Sequence, residues 1–388
     1  MAAALARWRG LIAPVAAITV FGLAISMSYP LLNLLLERMG ASGFAIGVNT
    51  VAAAVSMVAF APVMPRIMAW TGVGALMVGS ALGMGVLFLL FPLIPDYTAW
   101  LLLRLAFGFC GTAVFLASEF WIVAGAPDGR RGRVVAVYTI SLSVAFMAGP
   151  LIIGATGVEG WLPFLIAAGL MAAGVVPILW GLSALPQATP ETPPTPASTV
   201  RFFATDPLVV WGVVLFGTIE YGSVALLPVW AVRDGFAESQ AVMVAASFAA
   251  GSIVFAPLLG WAGDRLDRRR LLGAIAVACV AAPAGLVWTS PSLWGVILVG
   301  MVWGGLAVGL YTLALVELGA RYSGARLAEA NAAVVLGYGI GALVSPVALG
   351  EAMDRVPPDG MLWLSAILAL GYAGLAAVRL AAARRRAP

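Results

Sequence analysis

No histidine and no lysine occur in these 388 residues, and acidic and basic residues together make up only 10% of them. All 21 basic residues are arginine, so a side chain that takes up and releases protons in apolar surroundings has to be a carboxylate, with tyrosine a remote second. The two cysteines, Cys110 and Cys279, fall inside separate apolar runs; they read as small buried hydrophobes and imply no disulfide framework or metal site. A histidine cluster, a metal-ligand set and a nucleophile paired with a base are all missing, so the pattern is not that of an enzyme. Charge is too sparse for a nucleic-acid partner, since a formal net charge of +4 rests on 21 basic and 17 acidic residues. What fills the chain is apolar: 62% hydrophobic residues and a mean hydropathy of +1.04, where soluble domains are about half apolar and a quarter charged. That composition excludes a water-soluble core, disorder and collagen, and makes the lipid bilayer the partner of the fold.

A bilayer-spanning helix uses about 20 residues, and about 30 with its connection, so the length allows about a dozen spans. Apolar runs bounded by charges, glycine or proline predict twelve helices, at 11–36, 43–65, 73–94, 98–124, 133–156, 160–185, 207–232, 237–262, 271–289, 293–320, 327–350 and 360–381. Arg7 and Arg9 precede the first run as in a signal peptide, but the run continues to Leu36, too long for a cleaved apolar segment. It reads as a retained first span. Residues 186–206 contain Pro-Gln-Ala-Thr-Pro-Glu-Thr-Pro-Pro-Thr-Pro, a polar linker. The predicted division is a six-helix unit at 1–185, the linker at 186–206 and a second six-helix unit at 207–388.

The halves share landmarks. Ala61-Pro62 recurs as Ala256-Pro257, Glu119 as Glu317 and Pro150 as Pro346, at nearly one offset. With an even number of spans per copy, two duplicated units run in the same direction and are related by a pseudo-two-fold axis along the membrane normal. Arginine placement sets the orientation. Only Arg38, Arg233 and Arg355 fall on one side and Arg104 falls within a span, while the other seventeen lie on the side of both termini. The positive-inside rule makes that side cytoplasmic. The glycine runs Gly304-Gly305 and Gly337-x-Gly339-x-Gly341 lack the preceding strand and the lysine of a phosphate loop, so they read as close helix packing and no nucleotide cofactor is expected.

After span 8 comes Gly260-Trp-Ala-Gly-Asp264-Arg265-Leu-Asp267-Arg268-Arg269. Here the chain resembles the major facilitator superfamily, whose cytoplasmic loop reads Gly-x-x-x-Asp-Arg-x-Gly-Arg-Arg; Asp267 replaces its second glycine. The corresponding stretch from Pro65 to Gly74 keeps only Gly72, with Ala69 at the aspartate position, although the family's stronger copy is usually in the first half. Arg104-x-x-x-Gly108, with Arg131-Gly132-Arg133 opening span 5, fits the same family. Gly149-Pro150-Leu-Ile-Ile-Gly154 is similar to the span 5 signature of its drug:proton antiporter branch, with Ile153 in place of a glycine and Ala145 where an upstream one is usual. The resemblance covers the whole chain and implies an all-α membrane fold of 12 transmembrane helices in two six-helix bundles. It also implies a cytoplasmic gate in which Asp264 meets the start of span 5, beside Arg131 and Arg133, as a carboxylate satisfying unpaired N–H groups; topology alone is the plainer use of these charges.

Four ionisable residues lie inside spans: Arg104, Glu119, Glu220 and Glu317. A charge there is costly, so each is expected to face a cavity or a partner. In the resembled fold spans 1, 4, 7 and 10 line the central cavity, and these four fall on spans 4, 7 and 10. Counting about 1.5 Å per residue, Glu220 is near mid-depth and is the expected proton-coupling residue, with Arg104 approaching it from the opposite side. Glu119 and Glu317 sit near the cytoplasmic ends, where bonding to arginines of their own half competes with a role in coupling. Ser26, Tyr29, Asn33, Trp121, Tyr138, Tyr221, Trp303, Tyr311 and Asn331 are candidates for the substrate cavity, and each also suits interhelical packing. A cavity of aromatics with few fixed charges suits a lipophilic or weakly cationic solute. The expectation is a monomeric inner-membrane transporter coupled to protons and exporting its solute, with uptake symport, or a sensor that does not transport, as alternatives.

Overall fold

The computed structural model describes residues 2–60, 63–125, 131–184, 196–322 and 324–386. Among the described residues there are fourteen α-helices and no strands, as expected where lipid leaves every backbone group to be satisfied within its own segment. The chain divides into two compact units: Met1–Leu36 with Ala52–Glu191, and Glu37–Val51 with Thr192–Pro388.

The first unit is built from α1 (Ala2–Arg38, up to Leu36), α2 (Gly43–Phe60, from Ala52), α3 (Met64–Thr71), α4 (Val73–Leu93), α5 (Tyr97–Gly125), α6 (Arg131–Thr156) and α7 (Leu162–Gly181). The second holds α8 (Pro196–Thr205), α9 (Pro207–Arg233), α10 (Glu238–Arg265), α11 (Arg268–Thr289), α12 (Leu293–Arg321), α13 (Gly324–Arg355) and α14 (Gly360–Arg386), together with the end of α1 and the first half of α2. Eleven of these helices are long and apolar enough to cross a membrane, and a shorter apolar stretch, Ile140–Thr156, lies in α6.

Two helices depart from the predicted runs. Of the helix predicted over 43–65, the described part runs to Phe60, residues 61–62 lie outside the described residues, and a short helix, α3, covers Met64–Thr71. Pro65 sits in the first turn of α3, where its missing N–H breaks no bond, and Gly72 with φ +80° ends it. Within the stretch read as a polar linker, α8 forms and buries Phe202 edge-on against Tyr322, with ring centroids 5.4 Å apart.

Glycines set how closely the spans approach. In the second unit α9 is the most enclosed helix, with one face against α13, where a Cβ on Gly217 would lie 2.6 Å from the Tyr338 carbonyl and one on Gly341 only 2.4 Å from that of Val214. Between α10 and α12, a Cβ on Gly304 would lie 1.9 Å from the Phe248 carbonyl and one on Gly251 1.8 Å from that of Met301. Side chains larger than hydrogen cannot occupy these contacts, which is how membrane helices gain dispersion without a hydrophobic driving force.

Candidate functional site

Glu220 lies on the glycine-packed seam between α9 and α13. Its Oε2 accepts a 2.7 Å hydrogen bond from the Tyr338 hydroxyl. One turn earlier on α9, the Phe216 ring lies 5.2 Å from Tyr311 of α12 and 5.8 Å from Tyr338. Three helices therefore bring three aromatic rings together, and one of them, Tyr338, holds the carboxylate. Tyr221, the next residue on α9, is half-buried. Tyr338 was missed by the sequence reading. The glycines around it announced a close approach of helices, but nothing in the sequence named Glu220 as its partner 118 residues away.

In the first unit Arg104 of α5 is 1% exposed and is held by α1. Its Nη2 donates to Asn33 Oδ1 at 3.0 Å and to the Ser28 carbonyl at 3.5 Å, and its guanidinium lies 5.8 Å from the centroid of Tyr29. Two expected cavity residues, Tyr29 and Asn33, are thus partners of the buried arginine.

The span 5 signature, on α6, meets α1 at Gly149. A Cβ on Gly149 would fall 1.8 Å from Ser26 Oγ and 2.8 Å from the Leu23 carbonyl. Ser26 in turn donates to the carbonyls of Leu23 and Ala145. These residues make an interhelical contact; Pro150 beside Gly149 is buried and Gly154 is half-buried. Trp121 and Tyr138 are also enclosed. Gly181 of α7 gives way to the Trp121 ring, and the Tyr138 hydroxyl lies 2.9 Å from Ser118 Oγ within a cluster containing Ile18 and Ile122. Trp303 is fully buried edge-on to Phe248 of α10, and among the described residues its indole N–H has no acceptor.

At the arginine-rich end of the second unit, Glu317 accepts from Arg269 Nε at 3.0 Å, with Arg321 at 3.8 Å and Arg268 at 3.9 Å. Asp206, which the sequence reading did not single out, is 3% exposed and binds Arg321 at 2.6 Å and Arg269 at 3.4 Å. Arg269 therefore bridges two carboxylates. Asp267, where the family pattern has glycine, caps α11 by accepting from the N–H groups of Arg269 and Arg270. The Arg268 side chain donates to the Gly263 carbonyl, and Arg265 stacks on Trp261 at 4.1 Å. Asp264 and Glu119 are exposed. The side chains of Arg131, Arg133 and Asn331, and residues 126–130, lie outside the described residues. Gly260 has only Thr312 near its Cβ position at 3.8 Å; the close glycine of this motif is Gly263, also within α10, 2.6 Å from Leu313.

The arginine-poor end carries a second network that the sequence reading used only to count arginines. Arg233 at the end of α9 binds both Glu37 oxygens at 2.8 Å and Asp354 at 2.9 Å. Asp354 also accepts from the backbone N–H groups of Gly43 and Phe44 at 2.7 and 2.8 Å, capping α2 with a residue of α13. Arg38 pairs with Glu238. Beneath these charges a Cβ on Gly43 would lie 2.6 Å from the Gly350 carbonyl, one on Gly350 2.1 Å from that of Gly43, and one on Gly47 2.1 Å from that of Pro346.

Helices of this number, length and apolarity make the chain a multi-pass membrane protein. The family model described as Major Facilitator Superfamily matches residues 15–325 and 235–388, and the chain belongs to that family of transporters. YfkF of Bacillus subtilis (strain 168), an uncharacterized MFS-type transporter, is 25% identical over 349 residues, 87% of each protein. YcaD of Escherichia fergusonii, also an uncharacterized MFS-type transporter, is 24% identical over 277 residues, 70% of each. Among solved structures, a mutant of the nucleoside transporter NupG aligns with TM-score 0.77 at 13% identity, covering 95% of this chain and 99% of that one. A bacterial homolog of the human lysosomal transporter Spinster, inward-facing and unoccupied, aligns with TM-score 0.72 at 15% identity over 96% of both chains. These likenesses are of fold.

Proposed function

We propose that the protein is a proton-coupled secondary transporter of the inner membrane, working by alternating access and exporting a lipophilic or weakly cationic solute. The observation that carries this reading is the Glu220 carboxylate bound by the hydroxyl of Tyr338, whose ring belongs to an aromatic cluster of three helices. A carboxylate is the side chain of this chain suited to exchanging protons in apolar surroundings, and relative movement of α9 and α13 makes or breaks its bond to the Tyr338 hydroxyl. Lipophilic cations suit the same place, because the faces of Phe216, Tyr311 and Tyr338 offer stacking and cation–π attraction. In this reading Arg104, Glu119 and Glu317 support coupling, Asp264 with its neighbouring arginines gates the cytoplasmic face, both termini are cytoplasmic, and the monomer is the working unit. The Gly149-Pro150 contact with α1 supports a drug:proton antiporter relationship through the motif it resembles.

The test is solute-induced proton movement in proteoliposomes holding a pH-sensitive dye, with lipophilic cations, nucleosides, sugars and organic acids supplied in turn. Wild-type protein is expected to move protons with the cations, and Glu220→Gln to bind them without proton movement. Tyr338→Phe is expected to retain transport with an altered pH profile. Proton movement that survives Glu220→Gln overturns the assignment of the coupling residue, and inward accumulation of solute overturns the direction.

A further inference from the structure

The first unit carries a groove of about 600 Å³ between α1 and α7. Ile12, Ala16 and Val20 form its α1 wall, spaced so that they share one helix face. Ala173, Val176 and Pro177 form the α7 wall, and Trp180 closes the arginine-rich end. Every lining residue is apolar or aromatic. At that same end Arg9, one turn before Ile12 on the α1 stripe, lies over the Trp180 ring at 5.5 Å from the centroid. Its Nε is buried and has no hydrogen-bond acceptor among the described residues. A buried guanidinium N–H without an acceptor is costly, and the tryptophan covers one face of the guanidinium without accepting from its edge.

From these two features we infer that the groove is a binding site for one anionic phospholipid, with its acyl chain along α1 and α7 and its phosphate on the Arg9 guanidinium. Length supports the match. From Arg9 to Val20 the helix rises roughly 16 Å at about 1.5 Å per residue, close to the depth of one leaflet, half of about 30 Å. Charge supports it too: a groove that is apolar for one leaflet's depth and cationic only at its mouth complements a lipid tail and an anionic head. A zwitterionic head would still fill the groove and bring a phosphate, but its own ammonium competes with Arg9 for that phosphate and leaves no net charge to be attracted.

The experiment uses the full chain in detergent, titrated with brominated-chain phosphatidylglycerol or phosphatidylethanolamine. The quenching of Trp180 is taken as the difference from Trp180→Phe. Phosphatidylglycerol is expected to quench at about fivefold lower mole fraction, the ratio that one arginine near an anionic headgroup supplies. Arg9→Gln brings the two lipids to parity, and Arg9→Lys restores part of the preference. Ala16→Phe, which fills the groove and leaves Arg9 in place, removes quenching by both lipids. Equal quenching of wild type by the two lipids, a preference that survives Arg9→Gln, or protection of Trp180 from both lipids by a second copy of the chain overturns the proposal.

Discussion

The two charged ends of the second unit are built on opposite plans. At the arginine-poor end one arginine, Arg233, joins carboxylates from the end of α1 and from α13, and one of those carboxylates also caps α2. At the arginine-rich end two carboxylates, Asp206 and Glu317, hold three arginines of α11 and α12. A single-arginine joint fails when its arginine is lost, because two half-buried carboxylates are stranded together; a redundant cluster redistributes. On this difference, counting ion pairs is expected to rank the two ends wrongly, since the more numerous set has the more replaceable parts.

The comparison can be broken most decisively at Arg233. Arg233→Gln is expected to lower unfolding stability by about 2–3 kcal/mol, below the full cost of breaking a buried pair because its groups are about one-fifth exposed. The thermal midpoint, read in a Cys110→Ala background with a thiol-reactive dye that reaches buried Cys279 only on unfolding, checks this. The double variant with Glu37→Gln should recover part of the loss. Asp206→Asn is expected to cost about 1–2 kcal/mol by the same assay, since Asp206 is buried but its arginines reach solvent. A larger loss at Asp206 than at Arg233 reverses the ranking. Replacing the Asp267 cap by alanine should cost about 1 kcal/mol, whatever happens to the arginine side chains. Smallest is Arg268→Gln, expected at about 0.5 kcal/mol because its pair with Glu317 is long and solvent-screened and a glutamine amide can still donate to the Gly263 carbonyl; adding salt should change the Arg268 result more than the Asp267 one.

Most of the spans were legible in the sequence. Apolar runs bounded by charge marked α9, predicted at 207–232 and found at Pro207–Arg233, and α10, predicted at 237–262 and found at Glu238–Arg265. Helices α3 and α8 were not, because each is short and amphipathic and carries no long apolar run. Glu220, Arg104 and Glu317 stood out because an ionisable residue inside an apolar run is itself a signal. Of their partners, only the arginines of Glu317 were expected from their place in the same half. Tyr338 was not named and Asn33 was named only for the cavity, because each becomes a partner only when helices distant in sequence are packed, and the same holds for Asp206 with Arg269 and Arg321. Asp267 was read as a lost glycine of a family pattern; the fold uses it as a helix cap, a role its position just before α11 permits. Ser26, read as a cavity residue, is turned toward Gly149 by a contact that depends on a glycine 123 positions later.

The meeting of Gly43 with Gly350 bears on the history of the chain as well as its physics. Two main chains in direct contact leave no side chain to rotate aside, so neither position can drift by a conservative replacement. The pair forms an evolutionary lock: descendants that keep this seam are expected to inherit both glycines together, and a lineage that loses one is freed to lose the other, along with the carboxylate at Asp354 that caps the helix beginning there.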